Sequence, residues 1–408
     1  MYVALSGIVQ ADVFVITSSN NSTNGVGIKN DESAGDIAAD AIDGDDTVSL
    51  GIALTTTGAN EGIDTINAAN TDDGNTITVS ETGSIKTTGD GATGIYNEGA
   101  SNKTTLSGSI TTGGKLTAGI HNEGNDTGTD TNDLNETTVS GSIKTTGDGA
   151  FGIYNEGNTN TTTVSGRIET TGNKGTFSGT DYGAHGIYNE GNKNKTTHSG
   201  SITTTGSKAR GIFNKGNNNE TTVSGSIRTG SNSSVVADST NGIHNEGNNN
   251  TTTLSGSIET TGVYLDHGIQ NTGNNNKTIM SGSITTSGET AYGILNVGTG
   301  NETTISGSIT LSGGGNSIGL INAGNNNITI VSGSITTTGA AGNAILNTGF
   351  NSFGSNGSNN SVIISGTVST TDSIYGALVN RHGTGNSFTL NEGATIIGDI
   401  TARVDGIK

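Results

Sequence analysis

The chain has 408 residues and a formal net charge of −19, from 36 acidic against 17 basic residues. So acidic a surface repels phosphate backbones and argues against a nucleic-acid partner. Only 28% of residues are hydrophobic and 4% aromatic, too few for a broad globular core, and the absence of cysteine rules out disulfides and thiolate metal sites.

Proline is also absent. It lacks the amide donor that a sheet ladder needs, so its absence suits a backbone paired almost everywhere. The chain begins MYVALSGIVQA, which reads as the end of a signal peptide: Val9-Gln10-Ala11 supply the small residues of a cleavage site, although no basic segment precedes them. A first β-strand is the competing reading. No stretch is long and apolar enough to cross a membrane as a helix. Residues 1–82 are expected to form start coils, 83–385 repeated coils, and 386–408 an atypical closing coil.

Between residues 83 and 349 the phrase G-I-Y-N-E-G alternates with a T-T-V-S-G-S-I-x-T-T-G run. The asparagine of G-I-x-N falls at Asn97, Asn122, Asn155, Asn189, Asn214, Asn245, Asn271, Asn296, Asn322 and Asn347, at intervals of 25, 33, 34, 25, 31, 26, 25, 26 and 25. Self-similarity at a fixed period of about 25 residues marks a solenoid. The extra residues enter only at 125–133, 173–185, 231–241 and 350–358. Strands cannot absorb insertions without slipping register, whereas corners can. The repeat therefore predicts an all-β, right-handed parallel β-solenoid (β-helix) with three strands per coil. About fourteen coils at ~4.8 Å each would make a rod ~65–70 Å long.

Alternation assigns the faces. In Val331-Ser332-Gly333-Ser334-Ile335-Thr336-Thr337, the valine, Gly333, isoleucine and Thr337 point inward, with glycines such as Gly83 and Gly333 letting the sheet bend. His198 takes a place in the valine column and His121 and His244 replace the tyrosine of G-I-Y-N. In the third strand Ile and Asn point inward, and stacked asparagines, each both donor and acceptor, are expected to bond along the axis. The tracts 217–219, 248–250 and 274–276 fall at a corner, where asparagine tolerates left-handed backbone.

No catalytic constellation, cofactor site or defined metal site emerges, and the chain is read as a non-enzyme. Arg167, Arg210, Arg228, Arg381 and Arg403 are scattered. Asp43, Asp45 and Asp46, and Asp126, Asp130 and Asp133, offer oxygen ligands suited to Ca²⁺, with solvated acidic turns the favoured reading. Glu98, Glu123, Glu156, Glu190 and Glu246 form a column of like charges that needs solvent or cations between its members, and a solvated face is the favoured reading. An N-x-T column at Asn102, Asn135, Asn160, Asn194, Asn219, Asn250, Asn276, Asn301 and Asn327 is either a glycan edge or a run of corner asparagines preceding strand threonines. The outward position after the S-G-S-I isoleucine varies among Lys, Thr, Glu and Arg, which spoils a flat threonine lattice for ice.

These repeats resemble the passenger β-helix of autotransporters, the type V secreted surface proteins of Gram-negative bacteria. The closing segment N-S-F-T-L-N-E-G-A-T-I-I-G-D-I-T-A, Asn386 to Ala402, is similar to the coils that precede their membrane barrel. The barrel itself is not seen after Lys408, so the chain is expected to be a passenger piece or to be anchored differently. The resemblance implies an extracellular or bacterial cell-surface rod, structural or adhesive, that contacts surfaces, glycans or other cells multivalently. The alternatives are a self-assembling extracellular fibre subunit and a polysaccharide-cleaving β-helix enzyme. The four insertions are the expected places for specific contacts.

Overall fold

A computed structural model describes residues 13–16, 28–29, 47–56, 61–64, 74–124, 134–231, 240–262, 264–339, 342–348, 357–371, 376–381 and 383–403. They form a right-handed parallel β-helix, as the repeat predicts. Three sheets run its length. The first holds 14 strands of the T-T-V type, such as Thr251–Leu254; the second holds 13 of the S-I-x-T type, such as Ser257–Thr260; the third holds 14 of the G-I-x-N type, such as Ile269–Thr272. Val13–Ile16 opens the first sheet by pairing with Thr47–Leu50. The closing segment adds Ser387–Leu390, Thr395–Ile397 and Ile400–Arg403, one strand to each sheet.

Insertions leave the register untouched. Asn122 pairs with Asn155 across 33 residues as Asn322 pairs with Asn347 across 25. The interior receives one large apolar side chain per strand. Val139, Ile143 and Ile153 are 0%, 1% and 0% exposed, and the equivalents in other coils match them. At ~1.5–3 kcal/mol for each buried aliphatic side chain, a thin core repeated many times replaces a thick one, which is how 28% hydrophobic residues suffice. His198 lies fully buried in the valine column, its Nε2 3.1 Å from the Ser226 carbonyl.

The predicted asparagine ladder is present from Asn97 to Asn380. Each Nδ2 donates to the Oδ1 of the next coil at 2.7–3.1 Å. From Asn97 to Asn322 the second amide hydrogen goes to a buried threonine of the first sheet, as from Asn155 to Thr162 at 2.9 Å and from Asn245 to Thr252 at 3.0 Å. Both donors of a buried amide are thereby satisfied.

The S-G-S-I glycines have a reason other than bending. A Cβ on Gly256 would lie 1.9 Å from the carbonyl oxygen of Gly225, which is backbone and cannot move aside. The coils touch here through bare backbone, and only glycine fits. Gly256→Ala is expected to force neighbouring coils apart and cost about 3 kcal/mol, the upper end for overpacking. A urea midpoint equal to that of the parent would contradict this.

Candidate functional site

The outer face of the third sheet is the most differentiated surface of the rod. Its strands place residue x of G-I-x-N outward, and parallel in-register pairing stacks these side chains. His121 lies over Tyr154 with centroids 4.5 Å apart, Tyr154 over Tyr188 at 5.0 Å, Tyr188 over Phe213 at 5.0 Å and Phe213 over His244 at 5.0 Å, with interplanar angles of 5–15°. Corner residues fold onto this stack: Phe151 is 5.5 Å from Tyr188, and His185 is 5.3 Å from Phe213. The ring faces are spent on one another, and Tyr188 is only 3% exposed. The column therefore works as a second, external core rather than as a platform on which sugar rings could stack. Beyond it the same column turns aliphatic, with Leu295, Ile321, Leu346 and Val379 buried.

The glutamate column runs alongside, and protein groups divide its charge. Tyr96 donates to Glu123; Tyr154 and Tyr188 donate to Glu190 at 3.0 and 2.8 Å; Lys215 reaches Glu190 at 2.6 Å. His121 Nε2 is 3.6 Å from Glu156, and this contact holds the Glu156 carboxyl below its ordinary value. Burial and the charge of Glu123 push Glu98 up. His121, Glu123 and Glu156 bring three possible metal donors within 4.8 Å of one another. Glu123 accepts from Tyr96, whereas His121 Nε2, 3.6 Å from Glu156, is buried without a hydrogen-bond partner.

The 173–185 insertion builds a wall over this face. Gly175–Phe177 and Thr180–Tyr182 form an antiparallel hairpin. Its two-residue turn has Ser178 at φ 47° and Gly179 at φ 80°, both positive as a tight right-twisting hairpin requires. Asp181 anchors it: Thr176 donates at 2.7 Å, Lys208 lies at 3.0 Å and Lys174 at 3.5 Å. The Thr176 hydrogen bond and then Lys208 hold the Asp181 carboxyl down at about 2.

Between hairpin and sheet lies a cavity of about 390 Å³. Thr180, Asp181 and Tyr182 line it from the hairpin, Lys208 and Arg210 from the next corner, and Phe213, Lys215 and Glu246 from the strands. Arg210 stacks on Phe213, its guanidinium carbon 4.4 Å from the ring centroid. Its Nε is buried without a hydrogen-bond partner, and among the described residues no carboxylate lies within ion-pair distance of it. Burial lowers its pKa to about 10, with Glu246 opposing. Burial, then Arg210, keeps His185 and His244 well below the ordinary imidazole value.

Tyr188, Lys215 and Glu246 belong to the repeated phrase itself, so the site draws on the repeat as well as on an insertion. The insertion at 125–133 lies outside the described residues, as do most of 231–241 and 350–358. Asp43, Asp45, Asp46, Asp126, Asp130 and Asp133 also lie outside them. Arg167 and Arg228 are ordinary exposed ion-pair partners of Glu169 and Glu259, each at 2.5 Å. The N-x-T asparagines are 0–1% exposed. They form a further ladder, backbone amide of one coil to Oδ1 of the next, as from Asn219 to Asn250 and Asn250 to Asn276 at 2.8 Å. Most of their Nδ2 groups bind corner carbonyls, as from Asn250 to Gly216 at 3.0 Å, while those of Asn160 and Asn301 are buried without a partner. A glycan has no room on these nitrogens in the folded rod. The first sheet exposes Ile279, Ile328 and Ile330 at 38–43% on its outer face. No protein-family model, curated protein or solved structure matches the chain.

Proposed function

We propose that the chain is a rigid rod displayed at a bacterial cell exterior, in the manner of an autotransporter passenger, and that it mediates attachment or aggregation through many weak contacts. The observation that carries this reading is the contrast between inside and outside. Inward columns barely change from coil to coil, as with Ile85, Ile110, Ile143, Ile168, Ile202, Ile227 and Ile258. The next outward position runs Lys86, Thr111, Lys144, Glu169, Thr203, Arg228 and Glu259. A uniform scaffold holding a varied surface at fixed spacing suits multivalent contact, in which individually weak sites add through effective concentration. The absence of cysteine and proline suits a chain that crosses membranes unfolded and then stacks coil on coil.

The test fuses the chain to a membrane-anchoring barrel in a non-adherent Gram-negative strain. Attachment to glycan-coated surfaces and settling of the culture are then measured. An increase of roughly tenfold in either is expected from multivalent display. No increase in both, with surface exposure verified by antibody, would remove the adhesive reading. Concentration-dependent filaments of the purified chain would favour the fibre alternative instead.

A further inference from the structure

We propose that the cavity beneath the 175–182 hairpin binds a carboxylated sugar unit, with Arg210 as the residue that grips the carboxylate. The proposal rests on the adhesive reading only for its biological use; the chemistry of the cavity stands by itself.

The first argument is charge. In a chain of net charge −19, three bases line the cavity, Lys208, Arg210 and Lys215, beside two acids, Asp181 and Glu246. Asp181 answers the two hairpin-side lysines and Glu190 answers Lys215 at 2.6 Å, while Arg210 has no partner at ion-pair distance among the described residues. A partly buried cation with no carboxylate at ion-pair distance is costly. A ligand that brings one negative charge to it recovers that cost. The single guanidinium of Arg210 fits a monoanionic carboxylate, and Asp181 and Glu246 on the rim would repel a dianionic phosphate. Stacking on Phe213 fixes the guanidinium plane, which leaves its donor edge free for the two parallel hydrogen bonds that a carboxylate accepts.

The second argument is the rest of the wall. About 390 Å³ falls in the size range of small-molecule sites. Thr180 and Tyr182 offer hydroxyls, and the rim carboxylates accept hydrogen bonds. Such a mixed rim matches a ring carrying several hydroxyl groups. The side chain of an acidic peptide has none, so a uronate-type sugar is favoured over a protein partner. The hairpin occurs in one coil only among the described residues.

The test is calorimetric titration of the whole chain with short galacturonate oligomers, the matching neutral galactose oligomers, a glutamate-rich peptide and inorganic phosphate. The expected result is binding of the galacturonates alone. Arg210→Gln and Lys208→Gln should each weaken it at least tenfold, and Arg210→Lys, which keeps charge but loses the fork, should do so partially. Lys277→Gln, on the outer face of the first sheet, should leave it unchanged. Circular dichroism melting checks that the variants fold, and Lys208→Gln keeps the test decisive where Arg210→Gln does not fold. Equal binding of neutral and acidic sugars, full binding by folded Arg210→Gln, or binding of only the peptide or phosphate would overturn the proposal. Cells displaying the Arg210→Gln rod separate the two readings. Undiminished attachment without galacturonate binding by the parent leaves the rod adhesive and removes the pocket. Galacturonate binding without any attachment does the reverse.

Discussion

Asn245→Asp is expected to destabilise the rod by about 4 kcal/mol at pH 7, the range for stranding an unpaired charge in an interior. Asn245 is fully buried. Its Oδ1 accepts from Asn214 at 2.7 Å, and its Nδ2 donates to Asn271 at 2.8 Å and to Thr252 at 3.0 Å. Aspartate preserves the first bond and inverts the other two. A carboxylate oxygen then faces the Asn271 oxygen at hydrogen-bond distance with no proton between them. Burial favours the protonated acid, so the folded-state pKa of this aspartate must rise. A raised acid pKa means that the folded state takes up the proton first, so the deficit relative to the parent should shrink as pH falls toward 5, where the protonated oxygen can donate to Asn271. Asn245→Leu should show a loss of similar size with no such recovery, because it leaves the Asn214 donor and the Asn271 acceptor without partners at every pH. Urea midpoints of both variants and the parent at pH 7 and pH 5 decide the matter. A parent-like midpoint for Asn245→Asp at pH 7 would show that the ladder contributes little.

This ladder was legible in the sequence because parallel in-register stacking turns a repeat directly into contacts. Once the insertions locate the corners, alternation leaves Ile and Asn of G-I-x-N with one inward face, and the next coil supplies the partner. The N-x-T asparagines were harder to place, because a buried corner amide and an exposed glycan acceptor share the same three-residue pattern. Only the burial of Asn250 and its bond to the Gly216 carbonyl separate them. The S-G-S-I glycines look like bending points in sequence, yet what requires them is the 1.9 Å that a Cβ on Gly256 would leave to a carbonyl one coil away. The cavity was the least legible part. Arg210 precedes G-I in a corner whose residue changes from one coil to the next, from Phe151 to His185, Arg210 and Asn241, so no column announces it. Its meaning depends on an insertion 25 to 37 residues earlier folding back as a hairpin, and on Phe213 lying beneath it. Periodicity encodes what repeats, and this site is made where the repeat is interrupted.

Acidification should unfold the rod far above the range in which surface carboxylates titrate. His185, His198, His244 and His267 are buried, and burial is the leading cause that holds each below the ordinary value of 6.5, His267 at about 3. For bases of depressed pKa the unfolded chain binds protons first. Their contribution to stability is complete above pH 6.5 and is lost progressively as pH falls toward the folded-state values. Asp266 acts in the opposite sense. Its Oδ1 accepts from the Thr240 amide at 2.8 Å and hydroxyl at 2.6 Å, Oδ2 is buried without a partner, and burial raises the carboxyl to about 6. The folded state therefore takes up one proton at Asp266 before the unfolded chain does, which offsets one histidine. Between pH 6 and pH 5 His185, His244 and His267, less Asp266, should leave the unfolded state holding about two protons more than the folded one, a slope of about 3 kcal/mol per pH unit, and His198 adds to it in the same direction. His198→Val restores the residue type of its column, in which Val164 and Val223 are its paired neighbours, and should flatten that slope. Asp266→Asn removes the offset, so it should steepen the slope by about 1 kcal/mol per unit and raise the urea midpoint at pH 8 more than at pH 5. Urea midpoints at half-unit steps from pH 8 to pH 5 measure all three chains. A parent whose midpoint is flat across pH 6 to 5 would mean that these imidazoles protonate without unfolding the coils around them, and a His198→Val profile parallel to that of the parent would take His198 out of the set that drives the transition.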